Sequence, residues 1–262
     1  MKKSIKLILF FLVIPALSLL ESCQVDNEVI NPPGSTMDPN TYFGPSVAVG
    51  NGNAQAWVTV NKNGDPTDVG INLSEKALEG LPTAQTNFML ALPSNKGKGF
   101  YTYATLNWNP QGHEPVKVYD LPHFDFHFYT ISNADRMAIG PKDSVQFANA
   151  PDSMYVPKAY LHTPGGVPQM GAHWADLMAP EFNGKAFTKT FIWGSYNGKF
   201  IFWEPMVTLA YLLSQPNDLD SVRQPMAFKR DGWYATKYQV SYSSSRNQYT
   251  VSLRNLQFQK GK

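Results

Sequence analysis

Residues 123–129 read His-Phe-Asp-Phe-His-Phe-Tyr. A period of two this strict suits a β-strand, whose successive side chains point to opposite faces. Phe124, Phe126 and Phe128 would then share one face, and His123, Asp125, His127 and Tyr129 the other. Three phenylalanines are worth roughly 2 kcal/mol or more each when buried, so that face must lie on an apolar layer. The opposite face gathers ligand-type side chains and is expected to look into a pocket. A chain with such a strand is a layered β protein before anything else is known of it.

The neighbouring segments agree. Residues 54–74 carry two alternating runs around Asn63-Gly64-Asp65-Pro66, and residues 186–206 carry two more around Asn197-Gly198. Both read as hairpins with turn-forming centres. Strands are also expected near residues 86–93, 99–110 and 123–129, and a final hairpin over 233–259. Short helices fit 74–82, opened by Ser74, then 132–140 and 208–215. At least eight strands with turn-rich links predict a mainly β fold, an antiparallel β-barrel or sandwich with a few short helices.

The first 22 residues have another purpose. Lys2, Lys3 and Lys6 precede an apolar run from Leu7 to Leu20, too short for a span of about 20 residues and typical of an export signal. The stretch Leu-Leu-Glu-Ser-Cys, ending at Cys23, resembles the bacterial lipoprotein box. Cys23 is the chain's single cysteine, which excludes an internal disulfide and fits a lipidation site. The expected order is a signal peptide over 1–22, a lipidated N-terminus and polar, proline-rich tether over 23–40, and one β-rich domain over 41–262. Gln24 after the cysteine points to the outer membrane of a two-membrane envelope. Losing Lys2, Lys3, Lys6 and Glu21 from 22 basic and 20 acidic residues leaves 19 of each. A neutral chain does not suit nucleic acid, whose binding rests on neutralised phosphates.

Five histidines are available: His113, His123, His127, His162 and His173. His173 falls in a Pro- and Gly-flanked stretch that reads as a loop, with Trp174 as its apolar anchor and a pocket-lining residue beside Tyr129. Glu204 stands in Phe-Ile-Phe-Trp-Glu-Pro-Met, on a face with Phe200, Phe202 and Met206. A buried carboxylate is costly unless paired or metal-bound, so a histidine, a metal, or one of Arg223, Arg230 and Arg246 is expected beside it. His113 and His162, in Gly- and Pro-rich context, are expected in solvent. Candidate metal ligands are therefore His123, Asp125, His127, His173 and Glu204, for a divalent transition metal. On a straight strand the Cα atoms of His123 and His127 are roughly 13 Å apart, while a histidine places a metal about 6.5 Å from its Cα. Both could ligate one ion only across a bulge. The closer group is expected to be His127 with His173 and Glu204, with Asp125 beside it and His123 at the edge. The competing reading is a hydrogen-bonded polar cluster that only holds strands in register. There is no Gly-rich phosphate loop, GxSxG elbow or HExxH pair.

The set His-Phe-Asp-Phe-His-Phe-Tyr, Pro-Gln-Met-Gly-Ala-His-Trp and Tyr-Asn-Gly-Lys-Phe-Ile-Phe-Trp-Glu-Pro-Met resembles a family of uncharacterised secreted bacterial proteins. His123, Asp125, His127, Tyr129, Gly171, His173, Trp174, Glu204 and Pro205 carry that resemblance. It implies export and carries over no known activity. A weaker likeness to cupin barrels implies a metal held by strand histidines and a glutamate, although cupins space their first two histidines differently. Two function classes follow. One is an envelope lipoprotein, bound to the membrane through lipid on Cys23, with a metal- or small-ligand-binding pocket. The other is a structural or interaction lipoprotein, self-associating or not, whose polar cluster stabilises the fold.

Overall fold

The computed structural model describes residues 38–94 and 97–262. The leader, Cys23 and the tether as far as residue 37 lie outside the described residues. Thirteen strands in the described residues form two antiparallel sheets. One contains β1 (Thr41–Val49), β2 (Gly52–Val60), β3 (Pro66–Ser74), β11 (Asn217–Ser221), β12 (Gly232–Ser243) and β13 (Gln248–Gln259), in the order β1-β2-β3-β13-β12-β11. The other contains β4 (Thr86–Leu90), β5 (Tyr103–Asn109), β6 (His123–Tyr129), β7 (Tyr160–His162), β8 (Ala172–Asp176), β9 (Lys189–Tyr196) and β10 (Lys199–Thr208). Its order is β4-β5-β6-β10-β9-β8-β7. Each sheet keeps two edges, so the architecture is a sandwich and not the closed barrel of a cupin.

The short helices sit where capping residues place them. Ser132 accepts from the Asp135 amide to open α1 (Asn133–Met137), and Thr208 accepts from Tyr211 to open α3 (Leu209–Leu213). A further helix, α2, spans Ser144–Ala148. In the β9–β10 hairpin Asn197 and Gly198 both adopt positive φ, 48° and 73°, as a tight two-residue turn requires. Among the described residues no helix is long and apolar enough to cross a membrane.

Strand β6 occupies the middle of its sheet, between β5 and β10. Phe124, Phe126 and Phe128 are completely buried and pack with Val69, Ile71, Val251 and Leu253 of the facing sheet. The polar face of β6 therefore points away from the inter-sheet core. It is covered by the β5–β6 loop and by residues between β6 and β9. Two apolar clusters seal this outer layer. One joins Tyr129 and Phe202 to Ile139 and Phe147; the other joins Met206 and Ile192 to Tyr119 and Phe187.

Two details of β10 differ from simple alternation. A register shift between Phe200 and Phe202 marks a bulge. It sends Phe200 to the inter-sheet core and Ile201 to the outer cluster with Phe202, so Phe200 does not share a face with Glu204. Pro205 lies in this central strand and cannot donate to a ladder. The pairing with β6 accordingly runs Trp203↔Phe128, then resumes at Met206↔Asp125.

Candidate metal centre

The register assembles the outer face directly. On β6 and β5, His127 faces Thr105, Asp125 faces Asn107 and His123 faces Asn109, without a shift. On the other side the flanking β10 pairs set Glu204 opposite His127. His173 comes from β8, where it pairs with Gly194 of β9, and Gly194 pairs with Phe202. Gly194 leaves room for the Phe202 ring, because a Cβ there would overlap it. That ring packs 5.0 Å from His127 and 5.3 Å from His173, centroid to centroid.

Two groups result, each able to bring three ligand atoms within 4.8 Å of one another: His127, His173 and Glu204, and His113, His123 and Asp125. In the first, His127 Nε2 lies 3.4 Å from Glu204 Oε1 and His173 Nε2 lies 3.5 Å from Glu204 Oε2. His127 and Glu204 are fully buried, and His173 is partly open to solvent. Neither ring nitrogen of His127 has a hydrogen-bond partner, nor has Glu204 Oε2. Burial pushes His127 down to about 3, with the neighbouring His173 and His113 adding to the fall. Burial likewise pushes His173 down to about 4. Burial, followed by the Asp125 charge, raises the Glu204 carboxyl well above its usual range. Neutral imidazoles and a protonated carboxyl do not make an ion pair, so these contacts hold nothing together by themselves.

The second group has the opposite character. His123 Nδ1 is 2.7 Å from the Leu121 carbonyl, and His113 Nδ1 is 2.7 Å from the Glu114 carbonyl. A carbonyl accepts only, so each Nδ1 carries the proton and each Nε2 turns to Asp125, at 3.0 and 3.6 Å. Tying Nδ1–H to a backbone carbonyl is how proteins commonly orient a metal-binding imidazole. Asn109 Nδ2 donates to Asp125 Oδ2 at 2.7 Å, while Asp125 Oδ1 has no hydrogen bond. Burial opposes ionisation of Asp125, but His123 and His113 outweigh it and hold the carboxyl below its ordinary range. Burial works against protonation of His113 as well, and the Asp125 carboxylate overcomes it, raising His113. Here a carboxylate and two imidazole nitrogens converge on one point, which a proton or a cation must fill.

The expected grouping of His127, His173 and Glu204 is what the fold brings together. The other placements depart from the sequence reading. β6 has no bulge toward β5, and the five ligand candidates divide between two groups instead of sharing one. His173 lies on a strand and not in a loop. Trp174, the next residue, faces the inter-sheet core and donates to Ser195 Oγ at 2.8 Å; it does not line the site. Tyr129 does lie on the site face, its ring stacked 5.6 Å from His127 at 11°. His113 is not a solvent histidine but a half-exposed member of the second group. His162 rests on Trp174 at 5.0 Å and belongs to neither. Arg223 pairs with Asp176 and Arg230 lies over Phe100. Among the described residues no arginine pairs with Glu204. Asn109 was missed altogether. Its signal was the alternation Thr105, Asn107, Asn109 beside Leu106 and Trp108, polar residues on a strand the apolar ones bury.

Residues 61–108 are similar to a family described as TTHB210-like, hypothetical protein TTHB210. The match stops short of Asn109 and contains none of the six candidate ligands. No curated protein and no solved structure matches the chain.

Proposed function

We propose that this chain is a lipid-anchored envelope protein whose sandwich binds divalent transition-metal ions at two adjoining centres. His127, His173 and Glu204 form one, and His113, His123 and Asp125 the other. One observation carries the reading: buried lone pairs converge in both groups with too few donors to satisfy them. Buried polar groups are nearly always paired, and a cation answers several acceptors at once. Two imidazoles and one carboxylate, with positions left open, suit zinc or ferrous iron. Each trio keeps one member at the surface, His173 or His113, which supplies a route for the ion. A bound ion there would offer Lewis acidity and an acidified water. The envelope assignment rests on the leader and Cys23.

A second reading has one observation in its favour. The Asn109–Asp125 hydrogen bond belongs equally to a structural polar cluster. One experiment separates the two. Protein beginning at Gln24 is loaded with zinc, dialysed and assayed for metal by mass spectrometry. Two equivalents per chain are expected, falling to one in His113→Ala and to one in His173→Ala. No retained metal, or as much metal in the two variants as in the unaltered chain, would sink the metal reading.

A further inference from the structure

A second type of site lies away from these centres, at one end of the sandwich. There the β9–β10 turn and the segment entering β12 enclose a cavity of about 450 Å³. That size falls within the range of small-molecule sites, about 300–1,000 Å³. Its floor is aromatic: Trp193, Trp203 and Tyr234, whose exposures are 1%, 2% and 5%. Its rim is cationic: Lys199, Lys229 and Arg230, all exposed.

No Asp or Glu side chain lines the cavity, and the Tyr155 hydroxyl at its wall donates to the Lys262 main-chain oxygen at 2.6 Å. Lys229 Nζ donates to the Gly198 carbonyl at 2.9 Å, and Arg230 Nη2 to the Thr130 carbonyl at 3.3 Å. The Arg230 guanidinium also lies 4.8 Å from the Phe100 ring centroid. Among the described residues none of the three cations forms an ion pair with an acid. The acids nearest in sequence are engaged elsewhere: Asp152 accepts from the Met154 amide and Asp231 from the Gly261 amide. Three unneutralised cations therefore surround the mouth of an apolar cleft. Its Trp193, Trp203 and Tyr234 rings belong to the inter-sheet core and none of the six metal-ligand candidates lines it, so nothing in this argument depends on a metal.

We infer that the cleft binds a small organic anion, a monocarboxylate with an apolar body. The body would lie against the half-buried Phe200 and Tyr155, above the Trp193, Trp203 and Tyr234 rings, with the carboxylate at the mouth among Lys199, Lys229 and Arg230. An amphiphile of this polarity fits because the charge is confined to the rim and the rings to the floor. A sugar would need several free polar partners along the floor, where the Tyr155 and Tyr234 hydroxyls already donate to main-chain oxygens and, of these three side chains, only Trp193 Nε1 has no partner.

Two tryptophans at the floor make binding visible in intrinsic fluorescence. The whole exported chain, starting at Gln24, is titrated with decanoate and with decanol below their aggregation limits. Decanoate is expected to give a saturable change and to bind at least tenfold more tightly than decanol. The double substitution Lys199→Glu with Lys229→Glu changes exposed side chains only and should weaken decanoate at least tenfold while leaving decanol unaffected. Circular dichroism of the double variant is expected to match the unaltered chain. Equal affinity for acid and alcohol would reduce the cleft to an apolar crevice and overturn the inference. So would undiminished decanoate binding in a folded double variant, or no saturable response at all.

Discussion

Glu204→Gln keeps the shape of a buried side chain and removes its charge. In the folded metal-free protein burial and the Asp125 charge hold the Glu204 carboxyl well above 4.5. The unfolded chain releases that proton near 4.5. The folded state thus binds a proton that the unfolded state does not. The stability this group contributes is complete below pH 4.5 and is lost as pH rises through the folded value. Each pH unit between 4.5 and the folded value costs the native chain about 1.4 kcal/mol. Glutamine carries no such cost, and its amide can donate to His127 Nε2, which lies 3.4 Å from Oε1. Imperfect pairing of the new amide returns about 1 kcal/mol. The variant should therefore gain on the order of 2 kcal/mol at pH 7.0, or about 5 °C in melting temperature for a domain of this size. Calorimetry in chelator at pH 7.0 and pH 4.5 measures it, and the advantage should vanish at the lower pH. Zinc at about a hundred times its dissociation constant for the His127 centre should then add about 2.7 kcal/mol more to the native chain than to the variant, which keeps only the His113 centre. A variant that melts at or below the native chain at pH 7.0, or gains equally at both pH values, refutes the argument.

Acid should act through His127 in the opposite sense. Its folded value is about 3 against 6.5 unfolded, so its contribution is present above pH 6.5 and lost as pH falls. Urea unfolding between pH 6 and pH 4 should lose up to about 1.4 kcal/mol more per pH unit in the native chain than in His127→Gln; identical slopes would contradict this. Gly194→Ala drives a methyl into the Phe202 ring and should cost about 1–3 kcal/mol together with zinc at the His127 centre, read by melting and metal assay. Cys23→Ser should move the protein out of the membrane fraction; unchanged fractionation would exclude the lipid anchor.

Strand β6 could be read from sequence because its alternation is uninterrupted and its partners on both sides keep the same phase. The β9–β10 hairpin was legible because Asn197-Gly198 can hardly form anything but a tight turn. What remained hidden depends on neighbours instead of local pattern. Strand β11 reads Asn-Asp-Leu-Asp-Ser, which becomes a strand only by pairing with β12. Strand β8 is short, and its pairing with β9 decides that His173 faces outward while Trp174 faces inward. The bulge at Ile201 exchanges the faces of two apolar residues, which no hydrophobic pattern distinguishes. His113 was invisible for a similar reason. It is far from Asp125 along the chain, and only the Asn109↔His123 pairing brings its loop back over the end of β6.

The pairing of Glu204 with His127 bears on how β6 finds its place during folding. A slip by one residue would expose three phenylalanines and is excluded by their burial. A slip by two is different. It keeps phenylalanine in the core and polar residues outside, so the hydrophobic effect barely distinguishes it from the native alignment. In one direction that slip sets Asp125 directly against Glu204, two carboxyl groups in a water-poor layer that cannot both ionise. The imidazole at position 127 is thus a key cut to fit one alignment. The chain carries its proofreading against a misfolded sandwich in the same side chains that would greet an ion.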